Sequence, residues 1–181
     1  FKWLYKELPI KFLGEKFLKE KCSEFQDYEF NGKEIKKLSE KLIETLEKYR
    51  KKTGMGRGLA ANQIGVNKRM FVIWLREKAE IVINPKVVKL EGLGSYWESC
   101  ISLGSLLVGE VIRPWRGVFK YKDLEGNGHT LKADEKTTRV FLHELDHLNG
   151  ETCLDKYERG TVKFVTGGKE EVLGYKFKRL E

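Results

Sequence analysis

The chain has 181 residues, 40% of them hydrophobic and 34% charged, with three prolines. Those values exclude a disordered or collagen-like chain, and the longest unbroken apolar run, 70–75, is far too short to cross a membrane. Lys and Arg number 35 against 27 Asp and Glu, a net charge of +8 that favours approach to polyanions such as the ribosome surface, but no zinc-finger spacing or RNP-like aromatic pattern supports sequence-specific nucleic-acid recognition.

The length predicts one domain spanning 1–181. Residues 1–34 are lysine-rich, broken by Pro9 and Asn31-Gly32. From Glu34 to Lys51, Ile35, Leu38, Leu42, Ile43, Leu46 and Tyr49 recur three or four apart and predict an amphipathic helix. Glycines at 54, 56 and 58 end it. Arg69 to Leu75 is aromatic and β-branched and reads as a strand. Two more strands, 80–83 and 86–90, are expected on either side of Asn84-Pro85. Strands 117–122 and 129–132 flank Glu125-Gly126-Asn127-Gly128, a hairpin turn. Asp134 caps a second helix that runs to Leu148, with Gly150 at its C-terminal end. Val140, Phe141, Leu142, Leu145 and Leu148 cover much of its circumference, so it is expected to be buried on most sides. The tail, 161–180, is read as a strand pair around Gly167-Gly168. Strands dominate without regular βαβ alternation, which makes the fold class α+β.

Within the buried helix stands His143-Glu144-Leu145-Asp146-His147. Histidines four apart share one helix face and can reach one metal ion, and the glutamate beside the first is placed to act on a metal-bound water. Burying these polar groups for no purpose would be costly. A third protein ligand is required. Glu151 and Cys153 follow the helix, and Cys100 lies upstream in Glu98-Ser99-Cys100-Ile101-Ser102. Cysteines at 22, 100 and 153 form no disulfide framework, and no basic-then-apolar leader opens the chain. A reduced, cytoplasmic setting is therefore expected, with a bacterial or phage origin or an organellar one after leader removal. A third segment, Gly56-Arg57-Gly58-Leu59-Ala60-Ala61-Asn62-Gln63, lacks the lysine of a phosphate-binding loop; its small residues permit close backbone approach and Gln63 brings an amide donor.

In this order and spacing the three segments resemble the motifs of the peptide deformylase family: G-x-G-x-A-A-x-Q at 56–63, E-G-C-L-S at 98–102 and H-E-x-x-H at 143–147. The resemblance implies antiparallel sheets packed around a central buried helix. It implies Cys100, His143 and His147 as ligands of one divalent metal, commonly Fe²⁺, with Zn²⁺, Ni²⁺ or Co²⁺ able to occupy the site. A water activated at the metal would attack the formyl carbon of N-formylmethionyl nascent peptides, releasing formate, with Glu144 as general base and then acid. Gln63 and the Ile101 N–H would stabilise the oxyanion. Gly58 would pair with the substrate backbone and Val140 would line the methionine pocket. Ser99 stands where the family has glycine, and Arg57 where an apolar residue is common; Arg57 is expected to alter sequence preference or to favour acidic peptides. Beyond Ser102 the family's proline and arginine are not found at their offset, which leaves the substrate-binding rim unassigned. Two other readings stand beside this one. A metallopeptidase would take a Glu or His as third ligand, and a non-catalytic metal module would have no use for Glu144 or Gln63.

Overall fold

The computed structural model describes residues 6–75 and 77–180. Its order is α1 (Lys33–Thr53), β1 (Gly58–Ala60), β2 (Met70–Leu75), β3 (Lys78–Glu91), β4 (Gly94–Ser99), β5 (Leu107–Arg113), β6 (Arg116–Lys122), β7 (Gly128–Ala133), α2 (Glu135–Leu148), β8 (Lys163–Phe164), α3 (Gly168–Gly174) and β9 (Lys178–Arg179). The described strands pair antiparallel throughout, in a five-stranded sheet β1-β2-β3-β6-β7 and a four-stranded sheet β8-β5-β4-β9. None of the described helices is long and apolar enough to cross a membrane.

The unbroken apolar run of β2 has a simple cause: both faces of its sheet are covered. Met70 and Val72 join Leu38, Leu42 and Leu46 of α1, whereas Phe71 and Ile73 join Phe141, Leu145 and Leu148 of α2. Alternate residues of one strand thus feed two cores. Phe141 is fully buried, edge-on to Phe71 with centroids 5.0 Å apart and stacked on Phe119 at 4.0 Å.

Both predicted helices form, within two residues of their expected bounds. Gly54 closes α1 in the left-handed region at φ +67°. Asp134 caps α2, its carboxylate accepting the Thr137 N–H at 2.9 Å. Gly150, at φ +79°, ends the last turn. The 117–133 hairpin also forms, with Asp123 accepting the N–H groups of Glu125 and Asn127 across the turn.

Two expectations need correction, and one hairpin was not foreseen. Asn84-Pro85 does not divide two strands. One strand runs from Lys78 to Glu91, and a register shift between Ile83 and Lys86 absorbs the proline that cannot donate to the ladder. The β4–β5 hairpin was not predicted at all. The 161–180 strand pair is absent: β8 joins β5 and β9 joins β4, at opposite edges of the smaller sheet. The Glu171 carboxylate accepts the N–H groups of Thr166 and Gly167 at 2.8 Å each, so the glycines open helix α3 instead of a hairpin.

Phe141→Ala is expected to lower the unfolding free energy by about 3–5 kcal/mol, because both ring contacts vanish and the site is flanked by a rigid sheet. Urea titration should show a lower midpoint at unchanged slope.

Candidate metal centre and its cleft

Helix α2 presents His143 and His147 one turn apart, with ring centroids 5.2 Å from each other. Strand β4 ends at Ser99, and the chain turns directly into the short 3₁₀ segment Ile101–Leu103. That turn delivers Cys100 to the histidines. Its Sγ lies 3.2 Å from His147 Nε2, and the ligand atoms of Cys100, His143 and His147 all lie within 4.8 Å of one another. A tetrahedral site with bonds of about 2.0–2.3 Å spaces its ligands about 3.5 Å apart, so the cluster is of metal-binding size. Glu151 and Cys153 are not part of it: Glu151 pairs with Lys156, and Cys153 packs beside Cys100 and donates to Tyr157 Oη.

A buried charge network holds the cluster. Glu98, 2% exposed, accepts from Arg113 Nε at 2.8 Å, from Arg113 Nη2 at 3.2 Å and from His143 Nδ1 at 2.9 Å. The third guanidinium nitrogen donates to Asp146 at 2.7 Å. Burial pushes the Glu98 carboxyl up, but Arg113 and His143 together reverse this and hold it well below the usual carboxylate range. The bond at Nδ1 leaves His143 Nε2 for the centre. Tyr157 Oη donates to the Glu98 carbonyl at 2.8 Å, and its ring fits only because residue 109 is glycine, where a Cβ would come within 2.5 Å.

The neighbouring Cys153 thiol and the two imidazoles hold Cys100 well below its ordinary pKa, against the effect of burial. The thiolate is the form that binds a soft cation. Burial would lower His143, but Cys100 and Glu98 keep it well above the ordinary imidazole value. Burial pushes Glu144 up to about 7, with the two histidines pulling against it. Glu144 Oε2 has no hydrogen-bond partner among the described residues.

The glycine-rich segment closes the other side. Gly58 lies against Glu144: a Cβ there would meet Oε1 at 2.3 Å. Gln63 is held by its own amide oxygen, which accepts the Ala60 N–H at 2.8 Å, so its NH₂ group donates to Ser102 Oγ at 3.1 Å and faces Cys100 Sγ at 3.4 Å. Asn62 donates to the His147 carbonyl, and Arg69 donates to that of Leu148 at 3.2 Å, fixing the end of α2.

A cleft of about 660 Å³ opens onto this centre, within the size range of small-ligand sites. Every residue singled out in the sequence for catalysis or substrate contact lines it: Gly58, Arg57, Gln63, Ser99, Ile101, Val140 and Glu144, with Cys100 and His143 at its base. His147 is fully buried behind them. Arg113, Asp146 and Tyr157 escaped sequence reading. Arg113, from the end of β5, is carried by folding to Glu98. Only Asp146, inside the histidine motif, carried any local signal.

A buried helix offering two imidazoles and a carboxylate to a facing thiolate, at the base of an open cleft, defines the class of metal-dependent hydrolases. A family model described as polypeptide deformylase matches residues 7–163. Similar proteins include the peptide deformylase of Thermus thermophilus, 37% identical over 158 residues that cover 78% of each chain, and that of Dictyoglomus thermophilum, 32% identical over 154 residues, 85% of this chain and 95% of that one. The crystal structure of a peptide deformylase from Synechococcus elongatus in complex with actinonin superimposes with a TM-score of 0.75 at 30% identity, covering 85% of this chain and 80% of that one. The chain belongs to the polypeptide deformylase family. It is an enzyme of a class that uses a divalent metal to remove the formyl group from nascent peptides.

Glu98→Ala leaves the buried Arg113 guanidinium with Asp146 as its one carboxylate and removes the acceptor of His143, and is expected to destabilise the fold by about 3–5 kcal/mol in urea titration. The contribution of Glu98 has a defined pH dependence. Its folded pKa is depressed, so its stabilisation is complete above the ordinary carboxylate value of about 4.3 and is lost as the pH falls below that value. Urea midpoints between about pH 4.5 and pH 2 should fall more steeply for the natural protein than for Glu98→Gln.

Proposed function

We propose that Cys100, His143 and His147 hold one divalent cation, Fe²⁺ natively with Zn²⁺, Ni²⁺ or Co²⁺ as substitutes, and that residues 1–181 form one catalytic unit that deformylates N-formylmethionyl peptides. The observation that carries this reading is the convergence of the Cys100 sulfur, just past β4, on two α2 imidazoles beside a carboxylate whose Oε2 has no partner among the described residues. The donor set fits such ions: one thiolate and two nitrogens suit borderline-soft metals and not Mg²⁺ or Ca²⁺. A sulfur third ligand also argues against the metallopeptidase reading, and the presence of Glu144 and Gln63 in the cleft argues against a purely structural site. The cation supplies Lewis acidity there and makes water a nucleophile at neutral pH.

The protein's own groups do the rest. Glu144 takes the proton of the attacking water and returns it to the departing amine. A carboxyl with an affinity for protons near neutrality does both well. The Gln63 NH₂ group, aimed by Ala60, and the Ile101 N–H, at the open first position of its turn, donate to the oxygen that becomes negative. Loss of one such donor raises a barrier by about 3 kcal/mol. Strand β1 is a sheet edge, so the outer side of Gly58 can add the substrate backbone as a further strand. Val140, one turn before Glu144, lines the side-chain pocket, with Arg57 and Ser99 at its rim. Three free cysteines and the absence of disulfides support a reducing, cytoplasmic setting. The +8 charge supports docking at the ribosome surface, where formylated chains emerge.

Incubating the Fe²⁺ or Ni²⁺ form with formyl-Met-Ala should release formate. Glu144→Gln should keep its metal by atomic absorption and lose about 10²–10⁴ in turnover. Near-normal turnover in that variant would overturn the proton-transfer role. Cys100→Ala should lose both metal and activity. Ribosome pelleting should carry the protein down at low salt and release it at high salt; no co-sedimentation at low salt would remove the docking.

A further inference from the structure

The centre described above occupies one end of the cleft. The outer part has a different chemistry. Helix α2 places successive turns outward along the cleft wall: Glu144 and His143 first, then Val140 and Arg139, then Lys136. Arg139 therefore stands one turn from the reacting end. Its guanidinium lies over the Tyr96 ring, 4.7 Å from the centroid. Arg57 lines the same cleft, and its charge is disfavoured by burial, then by Arg139 and more weakly by Arg50, with Asp134 and Glu77 opposing them. Like charges are not gathered beside a cleft without a penalty.

The hydrogen-bond inventory points the same way. Tyr96 is 7% exposed, and its hydroxyl has no partner among the described residues. Arg139 Nε and Trp74 Nε1 are likewise buried and without a partner. All three groups line one cleft, and all three can donate. Buried donors ordinarily find acceptors. Glu77 and Glu135 line the cleft as well and Asp134 acts on Arg57 at longer range, yet among the described residues none of the three forms an ion pair with Arg57 or Arg139. Tyr96 is also held in place. Phe177 stacks on it with centroids 4.6 Å apart, in space that only glycine leaves at residue 94, where a Cβ would come within 2.1 Å of the ring. Tyr175 stacks on Trp97 at 4.9 Å. The tail beyond residue 163, outside the stretch matched by the family model, thus builds the wall behind these donors.

We propose that the outer cleft is an anion-accepting subsite in which Arg57, Arg139 and Tyr96 receive a carboxylate carried by the formyl peptide close to its N-terminus. The proposal rests on the deformylase reading and adds the substrate class. A carboxylate answers each feature at once. It offers acceptor oxygens to the unpartnered donors, and its charge relieves the repulsion between the arginines. Its planar geometry matches a guanidinium.

Four peptide amides decide it, since the amide removes the terminal carboxylate: formyl-Met-Ala-Ser, formyl-Met-Asp-Ser, formyl-Met-Lys-Ser and formyl-Glu-Ala-Ser. With the metal-loaded protein, kcat/KM for the better acidic peptide should exceed that for the lysine peptide by about tenfold, chiefly through KM, and the ratio should shrink as salt rises. Which acidic peptide gains identifies the residue that reaches the subsite. In the Arg57→Gln/Arg139→Gln double variant the ratio should approach one, and Arg139→Lys should restore part of it. A ratio within about twofold of one in the natural protein, or one that survives in the double variant, overturns the proposal. Binding gives a second readout, because Trp74 and Trp97 line the cleft and report peptide by fluorescence in the metal-loaded Glu144→Gln protein. If formyl-Met-Ala-Ser is not hydrolysed, the deformylase reading fails. The fluorescence titration still judges the subsite, and binding of both acidic peptides no tighter than that of the lysine peptide overturns it.

Discussion

One buried carboxylate joins the parts of this protein. Glu98 is charged, almost wholly shielded from water, and tolerable there because Arg113 and His143 both donate to it. Strand β4 supplies the carboxylate, β5 the guanidinium and α2 the imidazole. The smaller sheet is therefore tied to the buried helix by charge-assisted bonds, whereas the larger sheet holds the same helix by aromatic packing. Cys100 stands two residues beyond Glu98 in the chain, so the bonds that orient His143 also limit where the sulfur can be.

The glycine-rich segment meets this assembly from the other side under a steric constraint. Glu144 needs room for a carboxylate against β1, and only a residue without a Cβ leaves it. Gln63 needs a fixed amide, and the N–H of Ala60 fixes it. Neither effect resides in one segment alone. Gly58 matters because α2 is pressed onto β1, and α2 is pressed there because β2 buries both of its faces.

The cleft divides into two environments. Around the cysteine and histidines, Glu98, Arg113 and Asp146 satisfy one another, and Glu144 Oε2 lacks a partner among the described residues. Farther along, Arg139, Tyr96 and Trp74 present donors that lack acceptors among the described residues, backed by an aromatic tail. The reactive end is built by β4 and α2, while the outer end is set by Arg57, Tyr96, Arg139 and the segment carrying Tyr175 and Phe177, which lies beyond the stretch matched by the family model.

Much of this was legible in the amino-acid order because it depends on local repetition. Period-3.6 stripes marked both long helices, Asp134 and Gly150 marked the ends of one, and two histidines a helical turn apart declared a metal-binding face before any fold was known. The β4–β5 hairpin was not legible, since its strands carry irregular burial and are joined through the turn that presents Cys100. Gly167-Gly168 misled, because a glycine pair suits a hairpin and a helix start alike, and Glu171 decided between them by bonding to the N–H groups ahead of it. The sequence by itself determined which atoms could bind a cation and move a proton, for these are properties of residue types at short spacing. Only the tertiary structure decided which sulfur faces the histidines, that Arg113 neutralises Glu98, and that arginines collect at the cleft mouth. Those depend on distances between segments tens of residues apart, which the packing of two sheets on one helix sets and no local pattern encodes.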